Sequence, residues 1–388
     1  MRKIAVLSAH LAATGHARRL FDTSTSHLQS SAATEMEESV KASIPVIDIG
    51  PFLSAADAAR AGEALGAEAD EVVRQWRTAF SECGFAQVAG HGVPAAVIEE
   101  AYRVARKFFA LAPEEKQRYN KGKGYGFGGF VPQGVERVSA TVSAPDGSEL
   151  GAKRHKPRPP DLVENIVFED KPEKDLLPDV PGFEAAVRAY HAELVELLRA
   201  VMALTAIALD LPATHFETYF FDAEGKHKGE TSLRLAHYPP QKEDPLPGQL
   251  RYGEHTDYTG FTILWQDHNA GGPQTADEID APAGGLQVRM PDGSWVDVPP
   301  VAGAFTVNAG DLIQVWTNDV FLSNTHRVIN PPRDAAGSDR ISMVFFTGPA
   351  AEAVVECLPT CVDAQRPARY QPITSGEHLR RKLTASNT

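Results

Sequence analysis

The sequence predicts a mainly β protein with helices, a sandwich or jelly roll in its C-terminal half behind a helical N-terminal part. Three observations predict it. From about residue 230, short β-like runs alternate with Gly, Pro, Asp and Asn turns, the texture of sandwiches and jelly rolls. Residues 183–209 carry one apolar face at helical spacing, including Val187, Tyr190, Leu194, Leu197, Leu198 and Val201. Upstream, two further segments with helical periodicity lie among short β-like runs. At 388 residues the chain exceeds a typical single domain; one core with a helical addition, or two domains, both fit.

Residues 1–43 fall outside the fold. Arg2, Lys3, Arg18 and Arg19 precede the first acid, Asp22, and a Ser/Thr-rich stretch follows. The segment is a disordered polar tail or an organelle transit peptide. The expected compartment is accordingly the cytoplasm, or a mitochondrion or plastid in the second case. Ordered sequence begins with Ile44-Pro45-Val46-Ile47-Asp48-Ile49, a short β-like run. Residues 55–82 follow with helical spacing of Val72, Val73, Trp76 and Phe80. Gly84–Val88 has the character of a strand, His91-Gly92-Val93-Pro94 of a turn, and 95–111 of an amphipathic helix stopping near Pro113. Gly122–Gly134 holds six glycines with Tyr125, Phe127 and Phe130, but lacks the strand-to-helix setting of a phosphate loop. It is expected to be a loop or irregular strand. Pro181 and Gly182 mark the start of the long helix. The later runs are Leu233–Tyr238, Phe261–Trp265, Leu286–Met290, Trp295–Val298, Ala304–Asn308, Leu312–Thr317 and Ile341–Thr347, all expected as strands. Residues 374–388 are polar, a helix with a frayed tail from about 381.

The composition, 43% hydrophobic and 23% charged, is ordinary for a globular protein. The net charge of −13 argues against nucleic acid or an anionic membrane as partner, and no apolar run is long enough to span a bilayer. A small anionic ligand stays admissible, because one placed arginine can hold a carboxylate. Three cysteines, Cys83, Cys357 and Cys361, do not make a disulfide scaffold. Cys357 and Cys361 have helical spacing, but no His or Cys cluster nearby completes a metal site.

The chemistry sits in the β-rich half. In His255-Thr256-Asp257, residues i and i+2 of a strand share a face and can meet one metal. His326 supplies a second imidazole, and two histidines with one carboxylate make the facial set that suits non-haem Fe(II). Taken alone, His-x-Asp is a weak signal. Arg340-Ile341-Ser342 adds weight, since a guanidinium and a hydroxyl on one strand face can grip a carboxylate. An arginine turned into an apolar strand needs an anion, from a ligand or from a protein carboxylate.

With these residues in order, the chain resembles the isopenicillin N synthase-like family of 2-oxoglutarate/Fe(II) dioxygenases over most of 44–380. The similar segments are Ile44–Asp48, Gly84–Val88 with His91-Gly92-Val93, Phe108–Leu111 with Glu115-Lys116, Gly124-Tyr125-Gly126 and Asp161-Leu162-Val163-Glu164. In the second half they are Leu233–Pro240, His255-Thr256-Asp257, Leu286-Gln287-Val288, Asn308–Asp311, His326-Arg327-Val328 and Arg340-Ile341-Ser342. The resemblance implies a double-stranded β-helix, a jelly roll, with an N-terminal helical layer. It divides the chain into a dioxygenase N-terminal region (44–180), a helix plus jelly-roll catalytic core (181–380) and a tail (381–388). His255, Asp257 and His326 would bind Fe(II). Arg340 and Ser342 would hold the far carboxylate of 2-oxoglutarate, with Tyr238 a further contact. O₂ would be the other cosubstrate, and a small organic molecule would be oxidised, most often hydroxylated, with release of succinate and CO₂. Desaturation and ring closure are outcomes of the same chemistry. Segments 267–283 and 330–339 are longer than the family pattern needs and are expected as loops. Tyr125, Phe127, Phe130 and Phe261 either line the substrate pocket or are ordinary core and loop aromatics. The competing readings are an oxidase of the same fold that does not use 2-oxoglutarate, a non-catalytic jelly-roll binding protein, and a Zn enzyme. The last lacks a helical His-Glu-x-x-His motif.

Overall fold

The structure is a computed structural model that describes residues 43–122, 128–138, 159–169, 177–267, 284–332, 337 and 339–386. The expectations for residues 1–42, for Tyr125 and Phe127, and for the insertion beyond Asp267 lie outside the described residues. Chain order begins with β1 (Val46–Asp48), then three helices, α1 (Gly50–Ser54), α2 (Ala56–Ala61) and α3 (Ala67–Glu82). The sequence predicts one helix over 55–82, but the structure breaks it. Gly62 closes α2 in the left-handed region (φ 73°), and Gly66 starts α3. Next come β2 (Phe85–Ala89), α4 (Ala95–Phe109), α5 (Pro113–Gln117), β3 (Gly129–Val131) and β4 (Glu164–Glu169). The long helix is α6 (Phe183–Ala208), followed by α7 (Glu217–Phe220) and β5 (Glu230–Tyr238). The remaining strands are β6 (Tyr252–His255), β7 (Phe261–Gln266), β8 (Leu286–Arg289), β9 (Trp295–Asp297), β10 (Phe305–Ala309), β11 (His326–Val328), β12 (Arg340–Gly348), β13 (Val354–Val355) and β14 (Ile373–Thr374). Two helices complete the chain, α8 (Asp311–Trp316) and α9 (Ser375–Ser386).

Helix α8 corrects the strand expected at Leu312–Thr317. Leu312, Ile313, Val315 and Trp316 are all buried. A short run that is apolar on every side does not distinguish a buried strand from a buried helix. What decides is Gly310 just before the helix: a Cβ there would meet the carbonyl oxygens of Gly260 and Thr259 at 2.6 Å. The turn can therefore come close enough to the preceding loop for Asp311 to begin a helix. At the other end of the chain, α9 runs to Ser386, past the point where the sequence suggests a tail.

Eight strands form the main sheet in the order β1-β2-β10-β7-β12-β5-β4-β3, and four form a second, β6-β11-β8-β9. These are the walls of a jelly roll. One face of the main sheet carries the helices. α3 and α4 both pack on α6, and Trp76 of α3 donates Nε1–H to Thr205 Oγ1 of α6 at 3.1 Å. Phe80 meets Trp76 and Phe261 with ring centroids 4.4 and 5.3 Å apart. Each such ring stabilises the fold by about 1.5–3 kcal/mol through the apolar area it removes from water. Phe130 likewise packs on Phe108. Phe130 and Phe261 are thus core residues, the second of the two readings the sequence leaves open. Side chains of the two sheets meet in a smaller core, where Phe85, Ala236 and Tyr238 pack with Tyr252, Leu286, Val288 and Val328. Among the described residues no helix is long and apolar enough to cross a membrane.

On the helical side of β5, His237 stacks on Phe109. Its Nδ1 is 2.7 Å from Glu164 Oε1 and its Nε2 2.6 Å from Asp339 Oδ1. A ring facing carboxylates at both nitrogens donates to both only when doubly protonated. Burial opposes that charge, but the bonds to Asp339 and Glu164 outweigh it and raise the His237 pKa. A raised folded-state pKa contributes stability in full below the ordinary value of 6.5, and that contribution is lost as pH rises through the raised value. His237→Gln should therefore cost about 1–3 kcal/mol of stability, with the largest drop in melting temperature between pH 4.5, above which both carboxylates are mainly ionised in either state, and pH 6.5. Thermal melts of both proteins across pH should show the gap narrowing on the alkaline side. A gap that widens as pH rises above 6.5 would refute the doubly charged bridge.

Candidate metal centre and cosubstrate pocket

Strand alternation decides which side chains reach the space between the sheets. On β5, Arg234, Ala236 and Tyr238 face it, while Leu233 and Leu235 enter the helical core. On β12, Arg340, Ser342, Val344 and Phe346 turn inward, while Ile341, Met343 and Phe345 turn to the helices. These inward residues help enclose a cavity of about 60 Å³. A wider cavity of about 520 Å³ adjoins it and shares Arg234, His255, Asp257 and Phe346.

The first cluster stands where the cavities meet. His255 ends β6, and His326 opens β11 directly opposite it in the antiparallel register. Asp257 lies two residues past the end of β6, so the shared-strand argument does not account for its aim. Three other contacts do. Asp257 Oδ2 accepts hydrogen bonds from Asn308 Nδ2 and Thr262 Oγ1, both at 2.6 Å. The Asp257 carbonyl accepts the Asp311 N–H at 2.8 Å. Oδ1 is left turned toward the imidazoles, 3.6 Å from His255 Nε2 and 3.8 Å from His326 Nε2. Each ring is oriented from behind, with His255 Nδ1 2.9 Å from the Gly253 carbonyl and His326 Nδ1 3.1 Å from that of Asn324. Nδ1–H donation to a carbonyl fixes the tautomer that leaves Nε2 with its lone pair forward. Burial and then the adjacent His326 hold the His255 pKa well down, which keeps that ring neutral. Burial opposes ionisation of Asp257, but the two imidazoles and the bonds from Asn308 and Thr262 hold its carboxyl below the usual range. The three candidate ligand atoms lie within 4.8 Å of one another, on residues that are all buried. Two imidazoles with Nε2 forward and a carboxylate with one free oxygen fit a divalent Fe site with an open face.

The second cluster lies deeper in the same small cavity. Arg340 is 1% exposed, and its Nη2 donates to Gln266 Oε1 at 2.9 Å. Among the described residues its Nε and Nη1 have no hydrogen-bond partner, and neither does Ser342 Oγ. The Tyr238 ring stands 4.8 Å from the guanidinium. A buried cation with unmatched donors is costly, and a ligand carboxylate would satisfy it through two parallel bonds. The donor set therefore fits the far end of a dicarboxylate such as 2-oxoglutarate.

Thus the structure brings together His255, Asp257 and His326, and places Arg340, Ser342 and Tyr238 along the same cavity. Sequence reading missed the residues that aim them. Asn308 stands in a segment it singled out, Asn308-Ala309-Gly310-Asp311, but had no role. Thr262 and Gln266 carry no local signal. Nor does the buried ion pair of Arg234 with Glu136, whose Oε1 is 3.1 Å from Nη1. That guanidinium also donates to Tyr252 Oη at 3.0 Å and so stands between the cavities.

Comparisons with known proteins agree with this chemistry. The profile of the 2OG-Fe(II) oxygenase superfamily matches residues 229–349, and that of the non-haem dioxygenase in morphine synthesis N-terminal region matches 44–173. A 2-oxoglutarate-Fe(II) type oxidoreductase, hxnY of Emericella nidulans, is 32% identical over 345 residues, covering 87% of this chain and 88% of that protein. Homoarginine-6-hydroxylase 2-ODD-C23 of Glycine max is 30% identical, covering 88% and 96%. Among solved structures, a full-length Neurospora crassa protein in complex with alpha-KG superimposes with a TM-score of 0.67 at 28% identity, covering 88% of this chain and 96% of that one. The same Neurospora protein has also been solved with alpha-KG and thymine together. The chain belongs to the 2-oxoglutarate/Fe(II) oxygenase superfamily, within its isopenicillin N synthase-like family. It is an oxidoreductase, a dioxygenase that uses Fe(II) and 2-oxoglutarate. An oxidase acting without 2-oxoglutarate and a non-catalytic binding protein are not favoured.

Proposed function

We propose that His255, Asp257 and His326 hold the iron, and that Arg340 and Ser342, with Tyr238 beside them, hold the far carboxylate of 2-oxoglutarate. The 520 Å³ cavity then receives a small organic substrate, which is hydroxylated. Small substrates are in keeping with the relatives, one named for homoarginine and one solved with thymine. In this reading residues 44–180 supply the helical layer and edge strands, and 181–380 the catalytic core. The observation that carries it is the pair of unmatched Arg340 donors beside the unmatched Ser342 hydroxyl, in the cavity that the three ligand side chains line.

Bound Fe(II) with 2-oxoglutarate and O₂ supplies the oxidising power, at the cost of one 2-oxoglutarate converted to succinate and CO₂. The protein's part is positioning. Gly253 and Asn324 keep the imidazoles aimed, Asn308 and Thr262 occupy one carboxylate oxygen of Asp257, and the Arg234–Glu136 pair keeps a fixed cation beside His255. Anaerobic Fe(II) titration with 2-oxoglutarate tests the reading. The expected result is a weak visible charge-transfer band that saturates at one iron per chain. Bound iron without the band would overturn the 2-oxoglutarate site.

A further inference from the structure

We propose that helix α9 is a specificity wall of the substrate cavity, and that the substrate presents an apolar end to it. This rests on the 520 Å³ cavity being the substrate pocket. The sequence of α9, Ser-Gly-Glu-His-Leu-Arg-Arg-Lys-Leu-Thr-Ala-Ser, has two large apolar residues, Leu379 and Leu383. They stand four apart and so share one face. Both line the cavity.

The helix is held in place by polar contacts. Ser375 donates its N–H to the Ala353 carbonyl at 2.9 Å. Lys382, 8% exposed, places Nζ 2.6 Å from Asp311 Oδ2. Asp311 also accepts from Ser323 Oγ at 2.8 Å, and its N–H bonds the Asp257 carbonyl. The anchor of α9 thus reaches the loop that carries Asp257, and the leucine face has a fixed place relative to the three-ligand cluster. The outward residues Arg380, Arg381 and Thr384 are exposed.

The cavity walls differ in character. Strands β4 and β5, with the segment before β5, contribute mostly polar residues, Glu169, Lys228, Glu230, Thr231 and Ser232 beside Val167, while the described residues of α9 that line the cavity are the two leucines, with Phe346 of β12 the other large apolar side chain. A molecule that fills the cavity turns hydrogen-bonding groups to the strands and hydrocarbon to the helix. Water against the leucine face is displaced with a gain for each methylene buried.

Isothermal titration of the metal-free protein with 4-alkylphenols, methyl through pentyl, tests this. Wild-type affinity is expected to rise about fourfold per added methylene until the cavity is filled. In the Leu379→Ser/Leu383→Ser variant the rise should fall below about twofold per methylene. Leu383→Phe, which keeps the surface apolar but fills space, should move the best chain length down by one or two carbons. Equal slopes in wild type and the double variant, or no chain-length dependence in wild type, would overturn the proposal. The iron–2-oxoglutarate band of the wild type separates the two readings. A band without chain-length dependence removes the wall alone, and chain-length dependence without a band removes the iron and cosubstrate assignment alone.

Discussion

Asp257→Ala is expected to abolish iron binding and lower turnover by at least about 10³-fold. The reason lies in the charge of the site. Asp257 is the one anion among the three proposed ligand side chains, and without it only two imidazoles face a divalent ion. The substitution also strands Asn308 Nδ2 and Thr262 Oγ1, which both donate to Asp257 Oδ2. Asp257→Asn keeps the volume and so separates loss of charge from loss of packing. Metal content after desalting, with 2-oxoglutarate decarboxylation, is the measurement. A full equivalent of iron in either variant would remove Asp257 from the ligand set. Asn308→Ala, which frees the bound oxygen but leaves the ligands, should weaken iron binding by about 10–100-fold.

Arg340→Met should raise the 2-oxoglutarate requirement by about 10²–10³-fold, the cost of about 3–4 kcal/mol for losing a buried charge-assisted partner. The same change should act oppositely on the ligand-free fold. Arg340 is fully buried with two unmatched donors, and replacing such a cation by hydrocarbon of similar length stabilises by about 1–4 kcal/mol. The variant should therefore melt above wild type without ligand. It should also lose the rise in melting temperature that millimolar 2-oxoglutarate gives wild type, since a ligand stabilises only the state it binds. Arg340→Lys should not restore affinity, because a point ammonium cannot form the two parallel bonds. Thermal shift with and without 2-oxoglutarate measures both signs at once. A variant that keeps the ligand-induced rise would place the carboxylate elsewhere.

Much of this was legible before the fold. Helix α6 was visible because its apolar positions repeat at 3.6 over 26 residues, far more than chance gives. Arg340 and Ser342 fell on one face by strand alternation, without knowledge of the sheet. Where local pattern is degenerate, it failed. Leu312–Thr317 is a short, mostly apolar run that fits either element, and its first five residues fall in α8, preceded by Gly310 where a Cβ would meet the preceding loop. Phe130 and Phe261 could be pocket or core by sequence, and they pack in the core, because an aromatic near a motif carries no information about the side it faces.

The sequence by itself determined the long helix and the shared face of Arg340 and Ser342, since each depends on residues a few positions apart. Only the tertiary structure decided what aims the side chains of the site. Asp257 is oriented by Asn308, 51 residues away, and Arg340 is bonded by Gln266, 74 residues away. Lys382 reaches Asp311 from the far end of the chain and sets two leucines against the cavity. Such contacts depend on which strands pair and which helix caps the sheets, and that follows from the packing of the whole core rather than from any local spacing.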